Sequence, residues 1–453
     1  HILGYTSSIS SEELKGKEDT YSQNDIIGKT GIEYIMEEYL KGQNGVKQID
    51  MAVDGTITDE YISKEAVSGS DVILTIDANL QNVTENTLKN SIQSISTAEG
   101  VTVTGGSAVV MKVKTGEVLA MASYPDFNPQ DFVGGISTEK WTYYTKEAET
   151  EYARMHPFVN RAISSPSSPG STYKMVTAIT GLETGAIKIK EKINDVGIYK
   201  FSSDYNPKCW YIRGHGYLNV TDAIIHSCNY FFYELGYRMA TQNTGTYSDI
   251  TGVERLQKYA GMFGFDSTSG IELPESKPQI SDADAIRTAI GQGTNNFTAT
   301  QLARYVTTLA NSGTCYDLSL VSEIKDINGN VVYKNEHKVH NQLDFPAEQW
   351  NVVRQGMRQV VSVHTSSSAL INQINVAVAG KTGTAQQSDA RPNHALFVSF
   401  APYENPEVTV TSVIPFGYSS GNAVELTGLV YAYLYDPDVL ENTTITGNNA
   451  LSD

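Results

Sequence analysis

The chain has 453 residues, of which 40% are hydrophobic, enough for one large domain and a smaller one with substantial apolar cores. Its formal net charge is −18, so its surface repels phosphate backbones and anionic headgroups, and nucleic-acid binding is not expected. No apolar run of about 20 residues is present that could span a membrane. Three cysteines do not make a disulfide-stapled scaffold and leave the compartment open.

Hydrophobic periodicity and turn residues predict the elements in chain order. Residues 1–68 are polar and predict a small accessory region with one helix, Ile32–Leu40. A larger region, 69–453, begins with a strand, a polar helix and a hairpin closed by Lys114-Thr115-Gly116: Val72–Ile76, Gln81–Ile95, Ser107–Val113 and Glu117–Ser123. Helices follow at Thr172–Leu182, Thr221–Arg238, Gly252–Met262, Thr298–Asn311 and Ala347–Val361. The last section predicts strands at Asn375–Ala379, Thr382–Gln386, His394–Phe400 and Val408–Ile414, and a closing helix at Ala423–Leu434.

Strands at both ends of the larger region, with helices between them, favour one antiparallel sheet that is sandwiched by helices. The predicted fold class is therefore α/β in the α+β sense.

Three short clusters carry the chemistry: Ser171-Thr172-Tyr173-Lys174, Ser227-Cys228-Asn229 and Lys381-Thr382-Gly383. Together they supply a nucleophile, a base, a proton relay and a carboxylate clamp, which is what a serine acyl-enzyme needs. Each motif also occurs at two other places, so its context must choose among the copies. The other copies are Ser137/Lys140, Ser322/Lys325, Ser22/Asn24, Ser420/Asn422, Lys29–Gly31 and Lys114–Gly116.

Context selects Ser171 and Lys174 as nucleophile and base. Positions i and i+3 share one face of a helix, and Pro169-Gly170 lets a helix begin just before the serine. The free amides of a helix N-terminus offer an oxyanion donor, and its dipole disfavours a protonated lysine. By contrast, Ser137/Lys140 is expected in a loop and Ser322/Lys325 at a polar strand edge.

Lys381 is selected because it follows the apolar run Val376–Ala379, which places it on a strand whose edge faces a cleft. We expect Gly383 to leave space for a substrate backbone. As a lone motif, Ser227-Cys228-Asn229 would be read as a turn or a helix cap. Between the other two clusters it is read as the proton relay.

These clusters, with the surrounding sequence, resemble a penicillin-binding protein. The stretches that carry the resemblance are Val110–Pro125, Asn160-Arg161-Ala162, Gly291-Gln292-Gly293, Thr300–Ala303, Ala310–Gly313 and Ala401-Pro402-Tyr403. Residues 1–68 resemble part of the pedestal of class B enzymes, closest to the rod-elongation branch called penicillin-binding protein 2. The fold that the resemblance implies is the serine acyl-enzyme transpeptidase fold.

The resemblance also implies roles. Ser171 attacks the penultimate D-Ala of a stem peptide ending in D-Ala-D-Ala, Lys174 takes its proton, and an amine from a second strand then completes the cross-link. Ser227 with Lys381 relays a proton to the leaving amine, and Asn229 holds the substrate amide. Thr382, Gly383 and Thr384 form the strand that binds the terminal carboxylate, and the amides of Ser171 and Thr384 form the oxyanion hole. β-Lactams would trap Ser171.

The resemblance places the catalytic region outside the cytoplasm on a single N-terminal membrane anchor. We expect that anchor to lie upstream of His1, because the chain starts without Met or a signal peptide. The implied partners belong to an elongation machinery that includes a lipid-linked glycosyltransferase. The alternatives with the same clusters are a β-lactam sensor, a D,D-carboxypeptidase or a β-lactamase.

A second pattern is Cys209, His215 and Cys228, which suit tetrahedral zinc when a fourth ligand is added. Asp204 is the preferred fourth ligand and His226 the alternative. A Cys209–Cys228 disulfide and independent buried cysteines are the rival interpretations. No cofactor is required for acyl transfer itself. Because Cys228 lies between two predicted catalytic residues, a metal there would brace the Ser227/Asn229 loop.

Overall fold

The computed structural model describes residues 1–242, 245–364, 368–385 and 391–441. The β-strands are β1 (Thr6–Ser8), β2 (Ile26–Gly28), β3 (Val46–Met51), β4 (Ile57–Lys64), β5 (Asp71–Leu74), β6 (Gly106–Lys112), β7 (Val118–Tyr124), β8 (Ile193–Asp195), β9 (Gly216–Leu218), β10 (Thr314–Tyr316), β11 (Val321–Lys325), β12 (Val331–Lys334), β13 (Val339–Gln342), β14 (Ala379–Ala385), β15 (His394–Ala401) and β16 (Val408–Ile414).

The α-helices are α1 (Ser11–Leu14), α2 (Gly31–Ile35), α3 (Glu37–Leu40), α4 (Ala78–Glu99), α5 (Thr138–Thr145), α6 (Glu151–Arg154), α7 (Arg161–Ser164), α8 (Lys174–Glu183), α9 (Val220–Ile225), α10 (Asn229–Thr241), α11 (Asp249–Ala260), α12 (Ala285–Thr288), α13 (Ala299–Ala310), α14 (Ala347–Val363), α15 (Ser420–Tyr435) and α16 (Pro437–Glu441). Short turns of 3₁₀-helix lie at Pro129–Phe132, Gly170–Tyr173 and Ile371–Gln373.

A five-stranded antiparallel sheet organises the larger region, in the order β14-β15-β16-β6-β7. Every residue of β15 and β16 is buried, because helices cover both faces. Successive side chains of a strand point to opposite faces of the sheet, so the sheet separates the hydrophobic core into two clusters. Val109 and Met111 join the cluster around α13, whereas Ala108 and Val110 join the cluster around α4 and α15. The predicted helix-covered antiparallel sheet is confirmed.

The first 68 residues form small elements around two hairpins, β1-β2 and β3-β4. The predicted helix Ile32–Leu40 is interrupted at Met36, whose φ of −104° and ψ of 14° lie outside the helical range, so α2 and α3 are separate. β5 pairs with β11 in a three-stranded sheet, and this pairing ties the start of the larger region to its middle.

Two other predictions near the clusters were wrong in detail. The single helix Thr221–Arg238 is two helices, α9 and α10, because Ser227 adopts a φ of +48°, which a right-handed helix does not allow. The strand predicted at Asn375–Ala379 is absent except for Ala379, and β14 runs from Ala379 to Ala385, all of whose residues pair with β15. Gln386, the predicted end of the second strand, lies outside the described residues.

Helix α8 brings the nucleophile cluster into the core. Every residue from Lys174 to Leu182 is buried, and the 3₁₀ turn Gly170–Tyr173 leads into it. This turn packs beside β14, the edge strand of the large sheet. Among the described residues, no helix has the length and apolarity needed to cross a bilayer.

Candidate active site

A tight turn presents Ser171 to solvent at the start of the α8 segment. Gly170 has a φ of +51°, and its N–H donates to the carbonyl of Gly291 at 3.1 Å. The Ser168 hydroxyl donates to the same carbonyl at 2.9 Å. Gly291 itself has a φ of +77°, and a Cβ there would lie 2.0 Å from the carbonyl oxygen of Gly170. The loop around Gly291 therefore braces the turn that holds the nucleophile, and only glycine fits there.

Lys174 lies one helical turn behind Ser171 and is completely buried. Its Nζ donates to the Ser227 carbonyl at 2.7 Å, to Asn229 Oδ1 at 2.6 Å and to Ser227 Oγ at 3.2 Å. The predicted base and the middle cluster therefore meet directly. These contacts hold the amine one helical turn from Ser171, inside the cluster that carries Ser227 and Asn229.

Lys381 reaches the same hydroxyl from the other side. It lies on β14 and is 1% exposed, and its Nζ donates to Ser227 Oγ at 3.0 Å and to the Thr382 carbonyl at 3.1 Å. Ser227 Oγ therefore stands between two lysine amines. A hydroxyl in that position can receive a proton from one amine and pass its own to another group.

Ser227 has a left-handed conformation directly before Cys228, the N-cap of α10. Its φ of +48° is in the left-handed region, which costs energy for a residue other than glycine. Cys228 follows as the N-cap of α10, and its Sγ accepts the N–H of Phe231 at 3.3 Å. The motif Ser227-Cys228-Asn229 therefore caps a helix, through Cys228, and also contacts the predicted base Lys174, through Ser227 and Asn229.

Gly383 has a packing role that the sequence did not predict. A Cβ there would lie 2.8 Å from Thr172 Cγ2 and 2.9 Å from the carbonyl oxygen of Pro169. Glycine at 383 therefore lets β14 lie against the turn that carries Ser171, and the predicted space for a substrate backbone stays a prediction.

The clusters open into one cavity of about 170 Å³. Its lining residues are Ser171, Trp210, Ser227, Asn229, Ile290, Gln292, Thr382, Thr384 and Asn393. Sequence reasoning missed Trp210, Ile290, Gln292 and Asn393 as members of the site. Gln292, between two glycines, carried a signal, but nothing in the sequence around Trp210 or Asn393 indicates that they reach this cavity.

The other motif copies lie elsewhere. Ser137 caps α5, a helix where a loop was predicted, and Lys140 pairs with Asp131 at 3.2 Å. Lys29 pairs with Glu13, and Lys114 lies in the β6-β7 turn. None of these residues lines the cavity at Ser171.

Four potential metal ligands meet behind the middle cluster. Cys209, His215 and Cys228 come together as predicted, and Asp195 joins them, with all four ligand atoms within 4.8 Å of one another. The Cys209 and Cys228 sulfurs are 3.9 Å apart, and His215 Nδ1 is 3.7 Å from Cys209 Sγ. The predicted Asp204 lies on an exposed bend and is not in the group.

Asp195 holds this position because β8 pairs with β9, which directly follows His215. Its Oδ2 lies 2.6 Å from His215 Nδ1 and accepts the Cys228 thiol at 3.2 Å. The alternative ligand, His226, stacks on the His215 ring with 5.4 Å between ring centroids but is not in the group.

Hydrogen bonds set the proton affinities in this group. The contact between the two sulfurs lowers the pKa of Cys209, whereas burial raises the pKa of Cys228. Burial alone would lower the pKa of His215, but hydrogen bonds to Cys209 and Asp195 raise it on balance. The group therefore favours one thiolate beside a proton-sharing His–Asp pair.

A serine at a helix start, a buried lysine one turn on, and a second lysine sharing a serine relay define a serine acyl-transfer site. Comparisons agree with this class. Residues 106–427 match the penicillin binding protein transpeptidase domain, and residues 1–74 match the penicillin-binding protein dimerisation domain. The chain belongs to the penicillin-binding protein transpeptidases, as predicted. The predicted division after residue 68 lies inside the second of these ranges and stays a prediction.

Individual relatives indicate the branch. The chain is 28% identical to peptidoglycan D,D-transpeptidase MrdA of Acinetobacter baumannii, over 96% of this chain and 64% of the relative. It is 27% identical to MrdA of Escherichia coli strain K12, over 99% of this chain and 71% of the relative. The chain thus spans about two thirds of the length of the curated relatives it matches.

Solved structures place it in the same branch. Pseudomonas aeruginosa PBP2 in complex with WCK 5153 superposes with a TM-score of 0.75 at 26% identity, covering 96% of this chain and 89% of that one. A chain of a peptidoglycan synthase complex that coordinates polymerization and crosslinking gives a TM-score of 0.80 at 27% identity, covering 96% and 74%. The predicted penicillin-binding protein 2 branch is confirmed.

Proposed function

We propose that this protein is a peptidoglycan D,D-transpeptidase that cross-links stem peptides through an ester on Ser171. The observation that carries the proposal is the Ser227 hydroxyl, which lies 3.2 Å from Lys174 Nζ and 3.0 Å from Lys381 Nζ at the wall of the cavity that Ser171 lines. The MrdA relatives support it by their named activity.

The steps follow from these positions. Lys174 accepts the Ser171 proton as Oγ attacks the carbonyl of the penultimate D-Ala. Ser227, with Lys381 behind it, delivers a proton to the leaving amine of the terminal D-Ala. Asn229 orients the substrate amide, and Thr382 and Thr384 receive its carboxylate. An amine from a second strand then attacks the ester and restores the serine.

Labelling with a fluorescent penicillin tests the proposal. A stable adduct on Ser171, located by mass spectrometry, is expected, and Ser171→Ala should abolish it. Ser322→Ala is the matched control, since it removes the serine of another Ser-x-x-Lys copy on β11 and should label like the unmodified chain. Absence of an adduct contradicts the assignment, whereas fast turnover of the drug indicates a β-lactamase.

An amine acceptor distinguishes a transpeptidase from the remaining alternative, a D,D-carboxypeptidase. With a donor peptide ending in D-Ala-D-Ala and an amine acceptor, a transpeptidase forms the cross-linked product, whereas a D,D-carboxypeptidase releases only the shortened peptide. Release without cross-linking at saturating amine would overturn the transpeptidase assignment and leave the acyl-enzyme intact.

We also propose that the protein works outside the cytoplasm at the membrane, within an elongation machinery that includes a lipid-linked glycosyltransferase. A relative in Helicobacter pylori, PBP2, has been solved in complex with MreC, and another similar chain belongs to a peptidoglycan synthase complex. Co-purification of a glycosyltransferase with both the unmodified protein and Ser171→Ala is expected. Loss of co-purification from both would contradict this part of the proposal.

Asp195, Cys209, His215 and Cys228 are proposed to hold a structural zinc ion. Tetrahedral bonds of about 2.3 Å to sulfur separate two ligand atoms by roughly 3.8 Å. The 3.9 Å between the two sulfurs fits that spacing. His215 Nδ1 and Asp195 Oδ2, which are 2.6 Å apart and share a hydrogen bond, would have to separate to bind the same ion. Two sulfurs, an imidazole and a carboxylate are ligands that zinc accepts.

When bound, zinc supplies cross-links between β8, the loop of Cys209 and the start of α10. The chain's own residues then keep Ser227 in its left-handed conformation and Asn229 at the first position of α10. Elemental analysis of protein purified in metal-free buffer should give one zinc per chain, with loss of that zinc in Cys228→Ser and its retention in Cys315→Ser. A zinc-free protein with three free thiols contradicts the metal proposal alone.

A further inference from the structure

Two of the three cysteines, Cys209 and Cys228, lie together beside the Ser227/Asn229 loop. Cys209 is 2% exposed and Cys228 is fully buried, and both are free thiols with sulfurs 3.9 Å apart. Cys315 lies apart from them, with its Sγ 3.7 Å from the Phe263 carbonyl. A vicinal thiol pair of this kind has two chemical fates, since its sulfurs can bind a metal or can bond to each other.

We propose that Cys209 and Cys228 form a redox modification site, in which a peroxide-class oxidant converts the metal-binding thiolates into a disulfide that slows acylation of Ser171. This inference rests on the proposed zinc site and on the proposed acyl transfer. The metal-bound state and the disulfide state exclude each other, because a sulfur that has formed an S–S bond is no longer a thiolate that can bind the metal.

The reaction balances with hydrogen peroxide as the oxidant. The two thiolates give up one electron each, an S–S bond forms, and the O–O bond of the peroxide breaks. Two protons from solvent complete two water molecules, and the metal ion leaves with its charge. A thiol reductant reverses the step by forming two thiols again.

The geometry shows how oxidation reaches the catalytic residues. A disulfide bond is about 2.0 Å long, so the sulfurs must close by roughly 1.9 Å from their present separation. The part of this movement that Cys228 Sγ makes weakens its contact with the N–H of Phe231, which it caps at 3.3 Å. The cap of the first turn of α10 is weakened, and this turn begins at Asn229, whose Oδ1 accepts from Lys174 at 2.6 Å.

Access to the pair follows from its surroundings. The segment that carries Cys209 exposes several neighbouring side chains, among them Trp210 at 42%, Tyr211 at 40% and Ile212 at 51%. It is held by the Cys209 N–H, which donates to the Gly197 carbonyl at 2.8 Å, and by the ligand group itself. Removing the metal loosens this segment, so chelation should speed oxidation and bound zinc should slow it.

The experiment compares reduced, zinc-loaded protein before and after hydrogen peroxide. Three readouts are followed: a Cys209–Cys228 cross-linked peptide by mass spectrometry, zinc release with a chromogenic chelator, and the rate of fluorescent penicillin labelling. Formation of the cross-link with release of one zinc per chain is expected, together with a measurable fall in labelling rate. Thiol reductant plus zinc should restore the rate.

Two variants sharpen the test. Cys209→Asp keeps a metal-ligating oxygen but removes one thiol, so its labelling rate, whatever its starting value, should not respond to peroxide. Cys315→Ser keeps the pair and should respond like the unmodified protein. A Cys209→Asp protein that loses labelling to the same extent, or an unmodified protein that yields no cross-linked peptide, overturns the inference.

The outcomes separate the proposals. A cross-link that forms in protein without zinc keeps the modification site and rejects the metal. Zinc without a cross-link, even after chelation, rejects the modification site alone. Reduced protein that never reacts with penicillin rejects the acyl-transfer function, while the cross-linked peptide still reports on the thiol pair.

Discussion

Two tyrosines beside the nucleophile turn should respond in opposite ways to the loss of their hydroxyl groups. Tyr173 and Tyr305 are both fully buried. The Tyr305 hydroxyl donates to the Thr172 carbonyl at 2.9 Å, whereas the Tyr173 hydroxyl has no hydrogen-bond partner among the described residues. Burial raises the pKa of Tyr173 well above its usual value, so this hydroxyl stays protonated and uncharged.

The magnitudes follow from these contacts. An unsatisfied buried hydroxyl costs about 1–3 kcal/mol, so Tyr173→Phe should raise the free energy of unfolding by about 1 kcal/mol once imperfect packing is allowed for. Tyr305→Phe removes a satisfied hydrogen bond and should lower the free energy of unfolding by about 1–2 kcal/mol. The two substitutions delete the same atom from the same aromatic cluster, so each is the control for the other.

Urea unfolding followed by tryptophan fluorescence measures both variants, with the slope of the transition checked for constancy. The expected result is a higher midpoint for Tyr173→Phe and a lower one for Tyr305→Phe. A Tyr173→Phe protein that is less stable than the unmodified chain by 1 kcal/mol or more (about the value of a hydrogen bond) would refute the reasoning, because the hydroxyl would then have a partner.

Three further predictions concern the frame of the site. Gly291→Ala should strongly reduce penicillin labelling, because its Cβ would lie 2.0 Å from the Gly170 carbonyl oxygen. Gly293→Ala is the control: it has the same φ of +77°, but its nearest atom is a hydroxyl oxygen at 2.7 Å, so it should lose stability and keep more labelling. An equal loss of labelling in both variants contradicts this. Gly383→Ala should slow labelling, because its Cβ would meet Thr172 and Pro169 at under 3 Å, and a normal rate would show that β14 can shift without effect. The pKa of Asp249 is lowered: burial opposes this, but the N–H groups of Ala285 and Asp284 outweigh it. The ionised Asp249 therefore stabilises the fold at pH values above 3.8, the unfolded pKa, and this contribution is lost as the pH falls through the lower pKa of the folded state. Asp249→Asn should flatten the acid side of the curve of unfolding free energy against pH. An unchanged curve would show that Asp249 is not its source.

The sequence was sufficient for the sheet and for choosing the three clusters that meet at one cavity, because both depend on local patterns. Strand β16 and helix α14 begin at the predicted residues, since strong apolar periods and a proline mark them. The clusters were separable from their copies by asking which serine opens a helix and which lysine follows an apolar strand. Both questions are answered within a few residues of the motif.

Features that depend on distant residues were not predictable in this way. Asp195 joins the ligand group because β8 pairs with β9, and no spacing rule relates it to Cys209 more closely than Asp204. The contact of Gly383 with Pro169, more than two hundred positions earlier, could not be read from β14 alone. Trp210 reaches the cavity through a loop held by the same ligand group.

The break between α9 and α10 explains why the middle residue of Ser227-Cys228-Asn229 is not a free position. A continuous helix would turn three consecutive side chains progressively around its axis and could not aim the first and third at one amine. The left-handed φ of Ser227 ends α9 and lets both Ser227 and Asn229 contact Lys174, while Cys228 points away to Asp195. The strained residue therefore lies next to a side chain held by a buried ligand group. The contacts that offset this strain come from both sides of the turn: Lys174 donates to the Ser227 carbonyl at 2.7 Å, and the Cys228 sulfur contacts Phe231 and Asp195.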